Sequence, residues 1–115
     1  MMRLVDTDAP AFAHGTVFRL PAKWPYENVV DFMVFDTADA ARPFGLVVTT
    51  GYKAGLILVR LPAESVAAET GGLSAKWVIE NWHHGIYPEC PVGEVYVVPG
   101  YQPAALPVAP QNGLA

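Results

Sequence analysis

The sequence predicts an α+β fold, an antiparallel sheet of four to five strands with one main helix packed on one face. Three observations lead there. Apolar runs of strand length at residues 29–35 (VVDFMVF), 44–50 (FGLVVTT) and 54–61 (AGLILVRL) follow one another across short punctuated connections, the pattern of a three-stranded meander. Residues 15–20 (GTVFRL) and 94–98 (EVYVV) add shorter strand-like stretches. Residues 74–84 alone carry their large apolar side chains at helical spacing.

Taken in order, residues 1–14 are mixed and contain Pro10, an arm or an irregular first strand. In residues 15–20, Thr16, Phe18 and Leu20 alternate with Val17 and Arg19, as in a half-buried strand. Residues 21–28 form a loop in which Trp24 and Tyr26 flank Pro25, with Trp24 as a lid over the core. The run at 29–35 is apolar on both faces except for Asp31, so it belongs in the middle of the sheet. Structural pairing of Asp31 with Arg19 or Arg60 is preferred to a catalytic acid pair with Asp36. Five residues along a strand cover roughly 16 Å, too far for the two acids to face each other.

Residues 36–43 (DTADAARP) combine an Asp cap signal, alanines and a proline stop, which predicts a single helical turn. Between the two central strands lies Gly51-Tyr52-Lys53, a hairpin connection with a glycine suited to positive φ. Residues 62–70 start with a proline and stop at Gly71-Gly72, the punctuation of a short helix. Ser74 then caps the main helix, placing Trp77, Val78, Asn81, Trp82 and Gly85 on one face and mostly Lys76, Glu80, His83 and His84 on the other. Residues 1–99 read as a single α+β domain and 100–115, with three prolines among alanines, as a Pro/Ala-rich C-terminal tail.

Composition narrows the function. The chain has 115 residues, 52% hydrophobic and 16% charged, and a net charge of −4, which suits one globular domain and disfavours nucleic acid and anionic membranes. One cysteine, Cys90, excludes an internal disulfide and fits a reducing compartment. No signal peptide or membrane-spanning run is visible, so a cytoplasmic location is expected.

The segment 73–91 (LSAKWVIENWHHGIYPECP) concentrates two tryptophans, two histidines and the cysteine. His83, His84 and Cys90 do not make a metal site: adjacent helical histidines diverge by about 100°, and a structural zinc needs four ligands. No metal or cofactor is expected. A catalytic triad of Cys90 with His84 and Glu80 or Glu89 lacks any flanking signature, and an inert buried cysteine is the simpler reading. Gly45, Gly51 and Gly55 lack the lysine and the following helix of a phosphate loop. Tyr52, Trp82, Tyr87 and Tyr101 are core or lid residues on one reading and surface anchors on the other. With Glu80, Glu89 and Glu94 beside them, they would suit a basic cleft on a partner.

The hairpin TTGYKAG, the LPAES that follows it and the block WVIENW…YPECP resemble the small immunity proteins encoded beside bacterial polymorphic toxins, including type VI secretion effectors. The resemblance spans residues 29–98. It implies a protein that is not an enzyme, that binds a cognate toxin over or near its active site, and that protects the producing cell and its kin in bacterial competition. The contact residues expected on the bottom-up reading are Glu80, Trp82, Tyr87 and Glu89, with Trp82 or Tyr87 anchored in a pocket and the glutamates meeting basic groups of the toxin. The competing reading is a small enzyme or ligand-binding module with a pocket near Cys90. A third is an accessory domain dimerising through a sheet edge.

Overall fold

The computed structural model describes residues 1–23 and 27–108. Its framework is a six-stranded antiparallel sheet built from β1 (Met2–Arg3), β3 (Val17–Pro21), β4 (Val29–Asp36), β5 (Phe44–Val48), β6 (Ile57–Leu61) and β8 (Tyr96–Val98). The order across the sheet is β1-β8-β3-β4-β5-β6. A second ribbon pairs β2 (Ala11–Phe12) with β7 (Leu73–Ser74). One α-helix, α1 (Ala75–Asn81), follows β7 directly. The predicted class holds, while the strand count rises from four or five to six in the main sheet. The additional strand, β1, is two residues long, too short to show a period of two. The order of β4 to β6 is the expected three-stranded meander, and β3 extends it by one strand.

Alternation sorts the sheet into two faces. Phe18, Leu20, Phe32, Val34, Leu46 and Val48 are buried on the face that meets the helix segment, where Val78 and Trp82 complete the core. The Trp82 ring packs edge-on to Phe18 at 6.0 Å and tilted to Phe32 at 6.5 Å. Its Nε1–H donates to the carbonyl of Cys90 at 2.9 Å, so the one polar atom of the ring is satisfied in the core. The opposite face carries Val17, Arg19, Asp31, Met33, Phe35 and Val47. Gly45 is required there: a Cβ would sit 2.5 Å from Cζ of Phe35, whose ring lies across the glycine.

Asp31 is fully buried on this second face. Arg19, its cross-strand neighbour, forms two hydrogen bonds with it, Nε to Oδ1 and Nη2 to Oδ2, both 2.8 Å. The Tyr101 hydroxyl donates to Oδ2 at 2.5 Å and lies 2.6 Å from Thr49 Oγ1. Of the two arginine partners expected, the register selects Arg19. Tyr101 fastens the start of the C-terminal segment to the sheet, although residues 99–108 have no regular structure.

The helical expectations are shortened everywhere. Ser74 is the N-cap, its Oγ accepting from the Trp77 amide at 3.2 Å. Removing that acceptor by Ser74→Ala should lower the unfolding free energy by about 1 kcal/mol, measurable by urea denaturation. After Asn81 the chain widens into a π turn over Trp82–Ile86, with the Tyr87 amide donating to the Trp82 carbonyl at 2.8 Å. Residues 36–43 form no helical turn, because side chains capture the backbone first. Asp39 Oδ1 accepts from the Ala41 amide and Thr37 Oγ1 from the Asp39 amide, while the Thr37 hydroxyl donates to the Arg42 carbonyl. Residues 62–70 keep only a 3₁₀ turn at Ala63–Ser65, since Val66 bridges to Leu73 and extends the chain. The β5–β6 connection runs from 49 to 56, longer than the three to five loop residues expected, and Gly51 takes the expected positive φ of 68°. The lid assigned to Trp24 lies outside the described residues. No helix among the described residues is long and apolar enough to cross a membrane.

Candidate partner-binding site

In an antiparallel meander the β3–β4 and β5–β6 connections emerge at the same end of the sheet. The turn after the helix segment, residues 87–91, reaches that end as well. Together they enclose a cavity of about 260 Å³ lined by Pro21, Lys23, Glu27, Tyr52, Tyr87 and Glu89, with Cys90 in its wall. That volume is below the roughly 300–1,000 Å³ of small-molecule sites, and matches one or two side chains of a protein partner.

Tyr87, one of the lining residues, packs edge-on against Phe32, ring centroids 5.1 Å apart. Its hydroxyl donates to Glu89 Oε2 at 3.0 Å, which orients the carboxylate of a second lining residue. Tyr52, on the opposite turn, is 74% exposed, with Lys53 Nζ 5.8 Å from its ring centre. The Glu27 carboxylate packs directly on Gly51, where a Cβ would lie 2.5 Å from Oε1. Glycine is needed at 51 for its positive φ, whereas the Glu27 contact is with the end of a flexible side chain that can turn aside.

The four expected contact residues do not converge. Tyr87 and Glu89 share the cavity. Glu80 lies in a separate shallow depression with Ala75, Lys76 and Ile79, and pairs loosely with Lys76 at 3.9 Å. Trp82 is 1% exposed, so the expectation that it fills a pocket on a partner is corrected: the ring is a core residue, held by Phe18, Phe32 and the Cys90 carbonyl. Pro21, Ala22, Lys23, Glu27 and Tyr52 are among the residues that complete the cavity. The signal for them was topological, because a meander places the loops at 21–28 and 49–56 side by side.

Cys90 is closed off from chemistry. It is 4% exposed, and its thiol lies 3.4 Å from the Pro91 carbonyl and 3.9 Å from Glu94 Oε2. Burial, reinforced by the Glu94 carboxylate, pushes the thiol above its ordinary pKa, which suppresses the nucleophilic thiolate. His83 and His84 pack edge-on against each other at 5.2 Å on the exposed side of the π turn. Among the described residues no group of three histidine, cysteine or acidic side chains is placed to hold a metal ion.

A family model described as Immunity protein 45 matches residues 4–97, from the buried Leu4 at the start of the core to Val97 in the last strand. No curated protein and no solved structure matches the chain. The family match takes in the helix, nearly the whole sheet and every residue that lines the cavity, and so the chain belongs to the Immunity protein 45 family.

Proposed function

We propose that this chain neutralises a cognate bacterial toxin by stoichiometric binding, without catalysis, and that the cavity at Tyr87 and Glu89 is part of the docking surface. The observation that carries the reading is the preoriented Tyr87–Glu89 pair, hydrogen-bonded at 3.0 Å on the wall of a cavity sized for a partner's side chains. A lining that sets an aromatic ring beside a fixed carboxylate suits an arginine or lysine of the toxin. The chain's net charge of −4 would speed encounter with a basic surface. Glu80, on a different part of the surface, is an outlying contact at most.

The test is co-expression with the toxin domain encoded beside this chain's gene. Cells carrying both genes should grow, and cells carrying the toxin alone should not. Glu89→Arg puts a cation where the toxin's cation would bind, and should weaken the complex at least tenfold, about 1.4 kcal/mol, with the fold unchanged because Glu89 is exposed. Equal affinity of the variant and the native chain would remove the cavity from the docking surface.

A further inference from the structure

We propose that β6 is the strand-addition edge of this protein, and that an extended segment of the toxin pairs with Ile57–Leu61 as a seventh strand. This rests on the immunity reading and names the surface through which it would work.

The two edges of the sheet differ. β1 is a two-residue strand followed at once by a 3₁₀ turn over Leu4–Asp6, a short and blunted edge. β6 has five residues, β5 as its one neighbour among the described residues, and no proline or lysine. Soluble proteins usually protect such an edge with those residues, because the outward N–H and C=O groups are a template for another strand. Here the protection is slight. A bulge leaves Leu58 without a partner on β5, and Arg42 Nη1 lies 3.5 Å from the Arg60 carbonyl, at the outer limit of a hydrogen bond. Leu56 and Ile57, which begin the edge, are 58% and 48% exposed.

This edge is continuous with the cavity. Tyr52 on the cavity rim, Leu56 and Ile57 are three of the large exposed hydrophobic residues, and they fall within six positions on the turn that leads into β6. A segment laid along the edge would continue over Tyr52 towards Glu89.

A second copy of the chain is a poor occupant. Antiparallel self-pairing of the regular half, Val59–Leu61, would set Arg60 opposite its own copy, and like charges directly opposite each other are unfavourable. Registers shifted towards the start of the strand lay the bulged Leu58 into the new ladder, and registers shifted the other way bring in Pro62, which has no N–H to donate. A heterologous strand with an acidic or polar residue facing Arg60 meets neither obstacle. Pairing of this kind gives affinity through the main chain and specificity through alternate side chains.

The experiment uses the full chain and the toxin domain encoded beside its gene. Residue-resolved hydrogen exchange should show amides within Ile57–Leu61 becoming at least tenfold more protected in the complex. The double variant Leu56→Lys, Ile57→Lys places gatekeeper charges at two exposed positions, so the fold should persist. It should bind the toxin at least tenfold more weakly. If the native chain binds the toxin while β6 gains no protection, or the variant binds equally well, the edge assignment is overturned and the immunity reading stands. If the native chain does not bind at all, both fall. If sedimentation shows the chain alone to be a dimer that the variant dissociates, the edge belongs to self-association and the proposal is overturned.

Discussion

Replacing Trp82 with alanine should lower the unfolding free energy by about 3–5 kcal/mol, the largest loss expected for any single truncation here. The ring is the biggest fully buried side chain among the described residues, and it bridges the two layers through Phe18 and Phe32. Its removal opens a cavity where sheet and helix meet, and it leaves the Cys90 carbonyl without the indole donor. Against a total stability of about 5–15 kcal/mol for a domain of this kind, the variant would be marginal. Urea denaturation followed by tryptophan-independent circular dichroism measures the loss. Trp82→Phe separates the contributions, because it keeps most of the packing and removes the hydrogen bond, and should cost less. A small effect of Trp82→Ala would mean that the helix segment is not what closes the core. The same ring positions the start of the Tyr87–Glu89 turn, so the packing prediction and the docking surface share a cause.

Arg19→Ala should cost about 3 kcal/mol at pH 7, the lower end for breaking a buried ion pair, because the Arg19 side chain is about one-third exposed while Asp31 is fully buried. The substitution leaves a carboxylate inside the protein with the Tyr101 hydroxyl as its remaining side-chain partner. The pH dependence follows from the direction of the shift. Burial works to raise the Asp31 pKa, but the hydrogen bonds from Arg19 and Tyr101 outweigh it and hold the carboxyl below its ordinary value. A group whose folded pKa lies below its unfolded value, about 3.9 for aspartate, contributes stability above that pH and loses it as pH falls through the folded value. In Arg19→Ala, burial acts with less opposition and favours the neutral acid. The gap between the native chain and the variant should therefore be widest near neutral pH and narrow below about pH 4. Parallel denaturation curves at neutral and acid pH would show it. A gap independent of pH would mean that Arg19 contributes through packing rather than charge.

The central strands were legible because burial on both faces leaves continuous apolar runs, and Asp31 stood out as the one charge within them. Its pairing was readable only as a choice between two arginines, since the register that sets Arg19 beside it depends on how β3 meets β4. The strands of two residues, Met2–Arg3, Ala11–Phe12 and Leu73–Ser74, exist through tertiary pairing alone and leave no periodic trace. Residues 36–43 misled because Asp39 and Thr37 satisfy a turn as readily as a cap. The helical face of residues 74–84 was read correctly at Val78 and Trp82, but its length was not, because Gly85 and the π turn end regular winding at Asn81. Tyr101 looked like part of a mobile tail. Only in three dimensions does its hydroxyl meet Asp31, seventy positions earlier in the chain. Of the site, Tyr87 and Glu89 could be picked from the YPECP turn, whereas Lys23 and Glu27 required the meander's end to be drawn.

Isothermal titration of the purified chain into the purified toxin domain encoded beside its gene tests the central claim most directly, with the toxin's activity followed in the same mixtures. Saturable binding at a fixed ratio of whole chains, with activity disappearing in step with occupancy, is the result expected. A folded chain that leaves the toxin unbound and fully active, or that inactivates it in substoichiometric amounts as a catalyst would, contradicts neutralisation by stoichiometric binding.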